Sequence, residues 1–536
     1  MPNLTAAQFT YQGYYVSDTF QVTNKLTLNY GVRWDLPGAY TERYDRESVW
    51  LPNATSPLAQ ATGLPVEGKL GLVNSSDSPG RGSAVQHWKL FAPRLGMAYR
   101  LNNKTVIRAG YGIFFLPSDL NMSSAPWSNP INSITTPWVS TTDGGYTPSA
   151  TLSDPFPNGI LQPPGRNPSY QSILYGTPIT SPVTNQPYSY VQQWNFNVER
   201  ELANGFMVEA AYAGSRGVHL FGASGQGQVD QLPDRDLALG SKLQQLVPNP
   251  FYGLISTGTL SAPTVAQGQL LLPFPQYTSV AVTGPSNRDS IYHSMQMKME
   301  KRFHGGGTVL VAYTWSKFIS NTDTITTWLD STGTIQDYNN LRSERALLGS
   351  DVPQHVVVSY VHDLPIGKGQ HFLGNVSGIA GKLISGWGIN GVSTFQSGLP
   401  LGFSTNVNVT NSFNGGSRPN VTVGCDKSIS GSAQSRLNEW FNTSCFSQPP
   451  AFTFGSESRL DPNLRSAGVN NWDFALFKTT QITERVGVQF RTEFFNLFNR
   501  VQFGQPGLAA GNPSFGVVSS QTNNPRLIQF ALRAMF

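Results

Sequence analysis

The sequence holds 536 residues with a formal net charge of +5, from 36 basic and 31 acidic residues spread along the chain. Charged residues make up only 12%, about half the usual share, while aromatics reach 12% and Gly and Pro together about a sixth. Few charges beside many aromatics exclude a disordered tail protein and argue against a conventional cytosolic enzyme; with no Lys/Arg run, nothing points to nucleic acid.

Apolar and polar residues alternate in blocks of 10–14 residues, the pattern of half-buried strands. In chain order the blocks fall at roughly 9–20, 25–36, 88–100, 105–116, 188–201, 206–217, 290–303, 308–319, 353–364, 386–398, 470–479, 485–503 and 526–536. The second is the clearest: Leu26, Leu28, Tyr30, Val32 and Trp34 share one face, Thr27, Asn29, Arg33 and Asp35 the other. The last repeats it, with Ile528, Phe530 and Leu532 against Gln529 and Arg533. Helical periodicity is weak throughout, so the chain is predicted to be all-β. No run of about 18 apolar residues offers a transmembrane helix. The start, MPNLTAAQFTYQ, lacks the charged and apolar regions of a signal peptide.

The connections are as informative as the strands. Tight turns at Gln21–Asn24, Leu101–Lys104, Leu202–Gly205, His304–Gly307 and Thr480–Glu484 alternate with long Pro/Gly/Asn/Ser-rich loops. Only the ninth connection, 365–385, is of intermediate length. In an up-and-down meander, all tight turns then lie on one rim and all long loops on the other. That asymmetry predicts an antiparallel transmembrane β-barrel of the outer-membrane type, with short periplasmic turns and long extracellular loops.

Two further features separate this pattern from a soluble sandwich. Aromatics gather near strand ends (Tyr14, Tyr15, Trp34, Trp194, Trp315, Trp387, Trp472), as interfacial girdles require. The polar face carries full charges, Arg33, Arg108, Glu199, Lys298, Arg491, Glu493 and Arg533, which suit a wet lumen better than a dry core.

The C-terminal quarter resembles the end of TonB-dependent receptors. The residues that carry the likeness are Asn470–Lys478 (NNWDFALFK), Gln489–Asn499 (QFRTEFFNLFN), Phe515-Gly516 and Arg526–Phe536 (RLIQFALRAMF). Tyr14–Phe20 with Leu26–Arg33, and Trp194–Arg200 with Val208–Ser215, are similar to mid-barrel hairpins of the Oar-like group of that family. The resemblance implies a barrel of about 22 strands around a plugged lumen. Thirteen strands would then be its C-terminal portion over 1–536, with the plug and an N-terminal β-sandwich absent. A fragment or a late-starting reading frame is expected. The resemblance also implies partners: outer-membrane lipid, the TonB complex through the missing plug region, the barrel assembly machinery, and an extracellular ligand (carbohydrate, siderophore or peptide). The terminal aromatic, Phe536, is similar to the C-terminal signal read by that machinery.

No HExxH, Walker A, CxxC or GxSxG occurs, and the seven histidines lack metal-ligand spacing. No catalytic residue, metal or cofactor is expected. Gly222–Gly227 (GASGQG) reads as a flexible loop rather than a phosphate cradle. Arg491 and Glu493, two residues apart on one face, read as a lumenal ion pair touching the plug rather than a catalytic pair. Cys425 and Cys445, 20 apart in a polar stretch without zinc ligands, read as a loop disulfide in an oxidising compartment. Trp127, Trp138, Phe251, Tyr252, Phe274, Tyr277, Trp328 and Phe441 in the long loops suit sugar stacking or apolar grip, and equally suit packing the loops together.

The expected function is active uptake of a large or scarce substrate. A surface adhesin or secretion-assisting barrel is the alternative; a plug with a TonB box upstream would discriminate the two. A secreted polysaccharide enzyme fits worst, because no repeat of fixed period exists.

Overall fold

Alternation of period two puts every second side chain on the same face of a strand. The thirteen alternating blocks accordingly become strands. The structure, a computed structural model, describes residues 6–116, 131–132, 134–136, 138, 140–157, 159–222, 227–303, 306–322 and 333–536. Thirteen strands form one sheet: β1 (Tyr11–Thr23), β2 (Leu26–Pro37), β3 (Leu90–Asn102), β4 (Thr105–Phe115), β5 (Tyr190–Glu201), β6 (Phe206–Phe221), β7 (Ser286–Arg302), β8 (Gly307–Ser320), β9 (Gln354–Asp363), β10 (Trp387–Gln396), β11 (Val469–Gln481), β12 (Gly487–Phe495) and β13 (Leu527–Met535). Each pairs antiparallel with its sequence neighbour, and Ala346–Leu347 adds a short pairing to β8. The strands are 9 to 17 residues long, enough for a tilted strand to cross a bilayer.

The sheet does not close: among the described residues β1 and β13 each have one unpaired edge. Among those residues, too, no helix is long and apolar enough to cross a membrane.

Away from the shifts near the strand ends, register carries each face from strand to strand. One row runs Gln21, Thr27, Ala98, Arg108, Asn197, Ala211, Gln296, Thr314, His355, Gln396 across β1 to β10. A row on the opposite face runs Phe20, Leu28, Met97, Ala109, Phe196, Tyr212, Met295, Trp315. A slip of one residue anywhere would swap polar for apolar. Of the strand-end aromatics, Trp34, Trp194, Trp315, Trp387 and Trp472 fall on the apolar face. Tyr15 differs: it pairs with Arg33 on the polar face. Cross-strand ring pairs reinforce the apolar side, such as Trp34 stacked on Phe91 with centroids 5.6 Å apart and Phe490 on Phe530 at 6.3 Å.

The sheet itself has little interior. The buried apolar residues sit chiefly in the long connections. One cluster joins loops 38–89, 116–189 and 222–285 through Trp50, Leu70, Ile131, Leu174, Phe251 and Tyr277. A second joins loops 397–468 and 496–526 through Phe403, Trp440, Phe441, Phe446 and Val518. Leu232, Leu237, Leu243 and Leu272, packed against Phe452 and Phe454, bridge the two halves. A short helix, α1 (Leu58–Thr62), belongs to this layer; another, α2 (Gly378–Ile384), lies in the ninth connection on the tight-turn rim.

Candidate functional site: the loop layer and the polar face

The long loops make a folded layer along one edge of the sheet. Loop–loop strand pairs hold it: Pro178–Ser181 runs parallel to Ser279–Val282, and Ser404–Thr405 parallel to Ala509–Ala510. Side-chain amides satisfy loop carbonyls, as where Gln276 Nε2 donates to Glu67 O at 2.8 Å and Gly68 O at 3.0 Å. Of the loop aromatics, Phe251, Phe274, Tyr277 and Phe441 are buried and pack loop against loop; Trp138 and Tyr252 are exposed. Trp127, Trp328, His304 and most of Gly222–Gly227 lie outside the described residues.

Buried ion pairs lock the layer where apolar contact runs out. Arg418 Nη1 donates to Glu344 Oε2 at 2.8 Å, both side chains being almost wholly buried. Burial pulls the Arg418 guanidinium down, against the opposing effect of Glu344. Arg459, fully buried, donates to Glu344 O at 3.0 Å and Ser320 O at 3.0 Å, tying the 397–468 loop to the outer end of β8. Lys427 reaches Glu457 at 3.2 Å and also bonds Asp461. Burial and the neighbouring Asp461 charge push the Glu457 carboxyl up. Arg465 Nη2 meets Asp351 Oδ2 at 2.5 Å. These residues carried no signal in the sequence, since none falls in a motif. Their one trace is the presence of charge in loops otherwise poor in it.

Among the described residues, the buried carboxyls Glu47 and Asp230 each have one oxygen without a hydrogen-bond partner. Glu47 accepts the Ser83 N–H at 2.9 Å, and burial pushes its carboxyl up to about 7. Asp230 accepts the Phe274 N–H at 2.8 Å, and burial pushes it up to about 8. Both are held as neutral acids at ordinary pH or close to it. Cys425 and Cys445 are bonded sulfur to sulfur with Cα atoms 5.7 Å apart, inside the second loop cluster.

Below the layer, register brings Arg33, Arg108, Arg491, Glu493 and Arg533 to one face of the sheet. They are spread over it rather than gathered. Arg108 Nη1 pairs with Glu199 Oε2 at 3.0 Å and Arg491 Nη2 with Glu493 Oε1 at 2.9 Å. Arg33 Nε donates to Asp35 Oδ1 at 2.6 Å, and Arg533 stands opposite Gln489. A recess of about 520 Å³ includes the carboxylates Glu300, Asp473 and Glu493 with Ser359 and Asn390. Of these, Glu493 is paired with Arg491. Phe536, 96% exposed, follows the last strand.

The family described as outer membrane beta barrel domain matches residues 2–529. No curated protein matches the sequence. Among solved structures, the outer membrane transporter YddB of Escherichia coli is similar at 9% identity and a TM-score of 0.45, over 98% of this chain and 45% of that one. The pyoverdine receptor FpvA of Pseudomonas aeruginosa, solved with pyoverdine, gives 10% identity and a TM-score of 0.39, over 100% of this chain and 43% of that one. The ferric preacinetobactin receptor BauA of Acinetobacter baumannii gives 10% and 0.38, over 99% and 44%. The chain thus spans less than half the length of these structures.

Proposed function

Since the chain belongs to the outer membrane beta barrel domain family, we propose that it supplies the wall and outward loop layer of a TonB-dependent transporter in the Gram-negative outer membrane. The observation that carries this reading is the edge asymmetry: one edge bears a thick layer of interlocked loops, the other only tight turns and the ninth connection. An outer-membrane barrel places such loops outside the cell. There they form a selective cover over the polar face.

In this reading a substrate too large or too scarce for passive pores binds at the loop layer and passes along the polar face. Arg33, Arg108, Arg491, Glu493 and Arg533 wet that face and contact a plug. Energy arrives through TonB acting on the plug. Phe536 serves as the assembly signal, and Cys425–Cys445 staples an outer loop. The substrate is a siderophore, carbohydrate or peptide.

Uptake by cells expressing the intact receptor, with and without TonB, tests the proposal. Loss of uptake on TonB removal is expected. Surface adhesion or protein export that persists without TonB would replace it with an adhesin or secretion role. A native outer-membrane product well above 58.4 kDa is expected as well, because the plug must accompany the wall.

A further inference from the structure

We propose that the ninth connection, residues 364–386, is a membrane anchor that seats helix α2 among anionic phospholipid headgroups at the periplasmic surface of the outer membrane. The inference rests on the outer-membrane location and not on the transport reading.

The tight-turn rim otherwise carries connections of a few residues, so a folded segment there needs a reason. Its position is set from the apolar side of the sheet. Trp387 and Lys478 are register partners on that face, continuous with Phe490 and Leu532. Both hold α2: Trp387 Nε1 donates to Leu383 O at 3.0 Å, and Lys478 Nζ donates to Lys382 O at 2.8 Å and Ser385 O at 2.6 Å. Lys478 Nζ also lies 5.3 Å from the Trp387 ring centroid. The helix is therefore tied to the lipid-facing side of the wall rather than to the lumen side.

What the segment exposes matches that place. Ile379 and Leu383, one helical turn apart, are 81% and 64% exposed, and Phe372 and Leu373 of the same connection are exposed too. Water gives four apolar side chains of one short connection no reason to be exposed, whereas an interface buries them at about 25 cal/mol per Å². Residues 364–386 contain Lys368, Lys382 and His371 but no Asp or Glu. A recess of about 530 Å³ at the helix is lined by both lysines together with Ser377, Ser385 and Thr480. Cations and hydroxyls around a cavity beside an apolar surface fit a phosphodiester whose acyl chains lie along Ile379 and Leu383. Tryptophan and lysine at the foot of the same strands are the side chains that favour a bilayer boundary.

The test uses the intact receptor in bilayers of phosphatidylethanolamine and phosphatidylglycerol, with single nitroxide labels at I379C, L383C and N375C, and at L95C on the apolar face of β3. Labels at 379 and 383 are expected to collide with oxygen several-fold more than with a water-soluble nickel chelate, and the label at 375 the reverse. In native mass spectrometry, K368Q/K382Q is expected to retain several-fold less phosphatidylglycerol than the wild type. Labels at 379 and 383 that favour the nickel chelate, or that are shielded from both reagents by protein, overturn the anchor while L95C still reports lipid. If L95C also reports water, it is the membrane reading itself that fails. Unchanged phosphatidylglycerol retention in K368Q/K382Q overturns the headgroup assignment even where the labels report lipid.

Discussion

At the scale of single residues, the loop layer stores charge in two ways that respond differently to change. Glu47 and Asp230 are buried, and their carboxyls sit near 7 and 8 instead of the usual 4.5 and 3.8. A raised folded pKa means that the folded layer keeps a proton which the unfolded loop releases. The stabilisation is whole below the unfolded values and is lost as pH climbs through the folded ones, so it drains between about pH 4 and 8. Hydrogen-exchange protection at Trp50 and Val280, corrected for intrinsic rates, is expected to fall several-fold from pH 6 to 8.5. Glu47→Gln with Asp230→Asn should flatten that profile, and a flat wild-type profile would refute the burial argument. Glu344 is paired with the buried Arg418. Arg418→Met strands that carboxylate and is expected to cost about 3–5 kcal/mol locally. Limited proteolysis of loop 397–468 reads the loss, while the sheet should stay intact.

At the scale of elements, each strand presents two chemistries held apart by register. Leu95 lies on the apolar face, opposite Tyr30 and Tyr111. Ala211 lies on the polar face, between Asn197 and Gln296. Leu95→Arg should destabilise the assembled barrel by about 2–4 kcal/mol if the residue sits near the bilayer midplane. Ala211→Arg places the same charge where polar neighbours and water accept it and should change stability little. Urea titration of the assembled receptor in lipid compares the two. Equal costs would mean that the two faces do not see different solvents. The loops form a second kind of element, stabilised by aromatic clusters such as Phe441, Phe446 and Phe515, whose rings meet edge to face.

At the scale of the whole molecule, the sheet leaves one edge of β1 and one edge of β13 without partners among the described residues. In hydrocarbon each unpaired backbone group costs several kcal/mol, and only closure removes the cost. These 536 residues alone are therefore expected not to refold in detergent as a heat-modifiable, protease-resistant monomer, whereas a chain that supplied strands to close the sheet should. Gel mobility with and without boiling distinguishes the outcomes. A stable monomer would mean that β1 and β13 close on each other.

Strand positions, their order and the division of the rims were legible in the sequence. Alternation of period two is a local property, and connection lengths fix which rim each loop occupies. Thr27, Arg108 and Gln296 could thus be assigned to the polar side of their strands before any pairing was known. The tertiary structure alone decided that the long loops fold into one layer. The contacts of Glu344 with Arg418 and of Trp50 with Tyr277 join residues 74 and 227 positions apart. No periodicity announces a contact made once, between irregular segments, by side chains whose partners lie in other loops. The outward seat of α2 is of the same kind. It depends on Trp387 and Lys478 meeting across two strands that a 72-residue loop separates, and that meeting exists only once the sheet has formed.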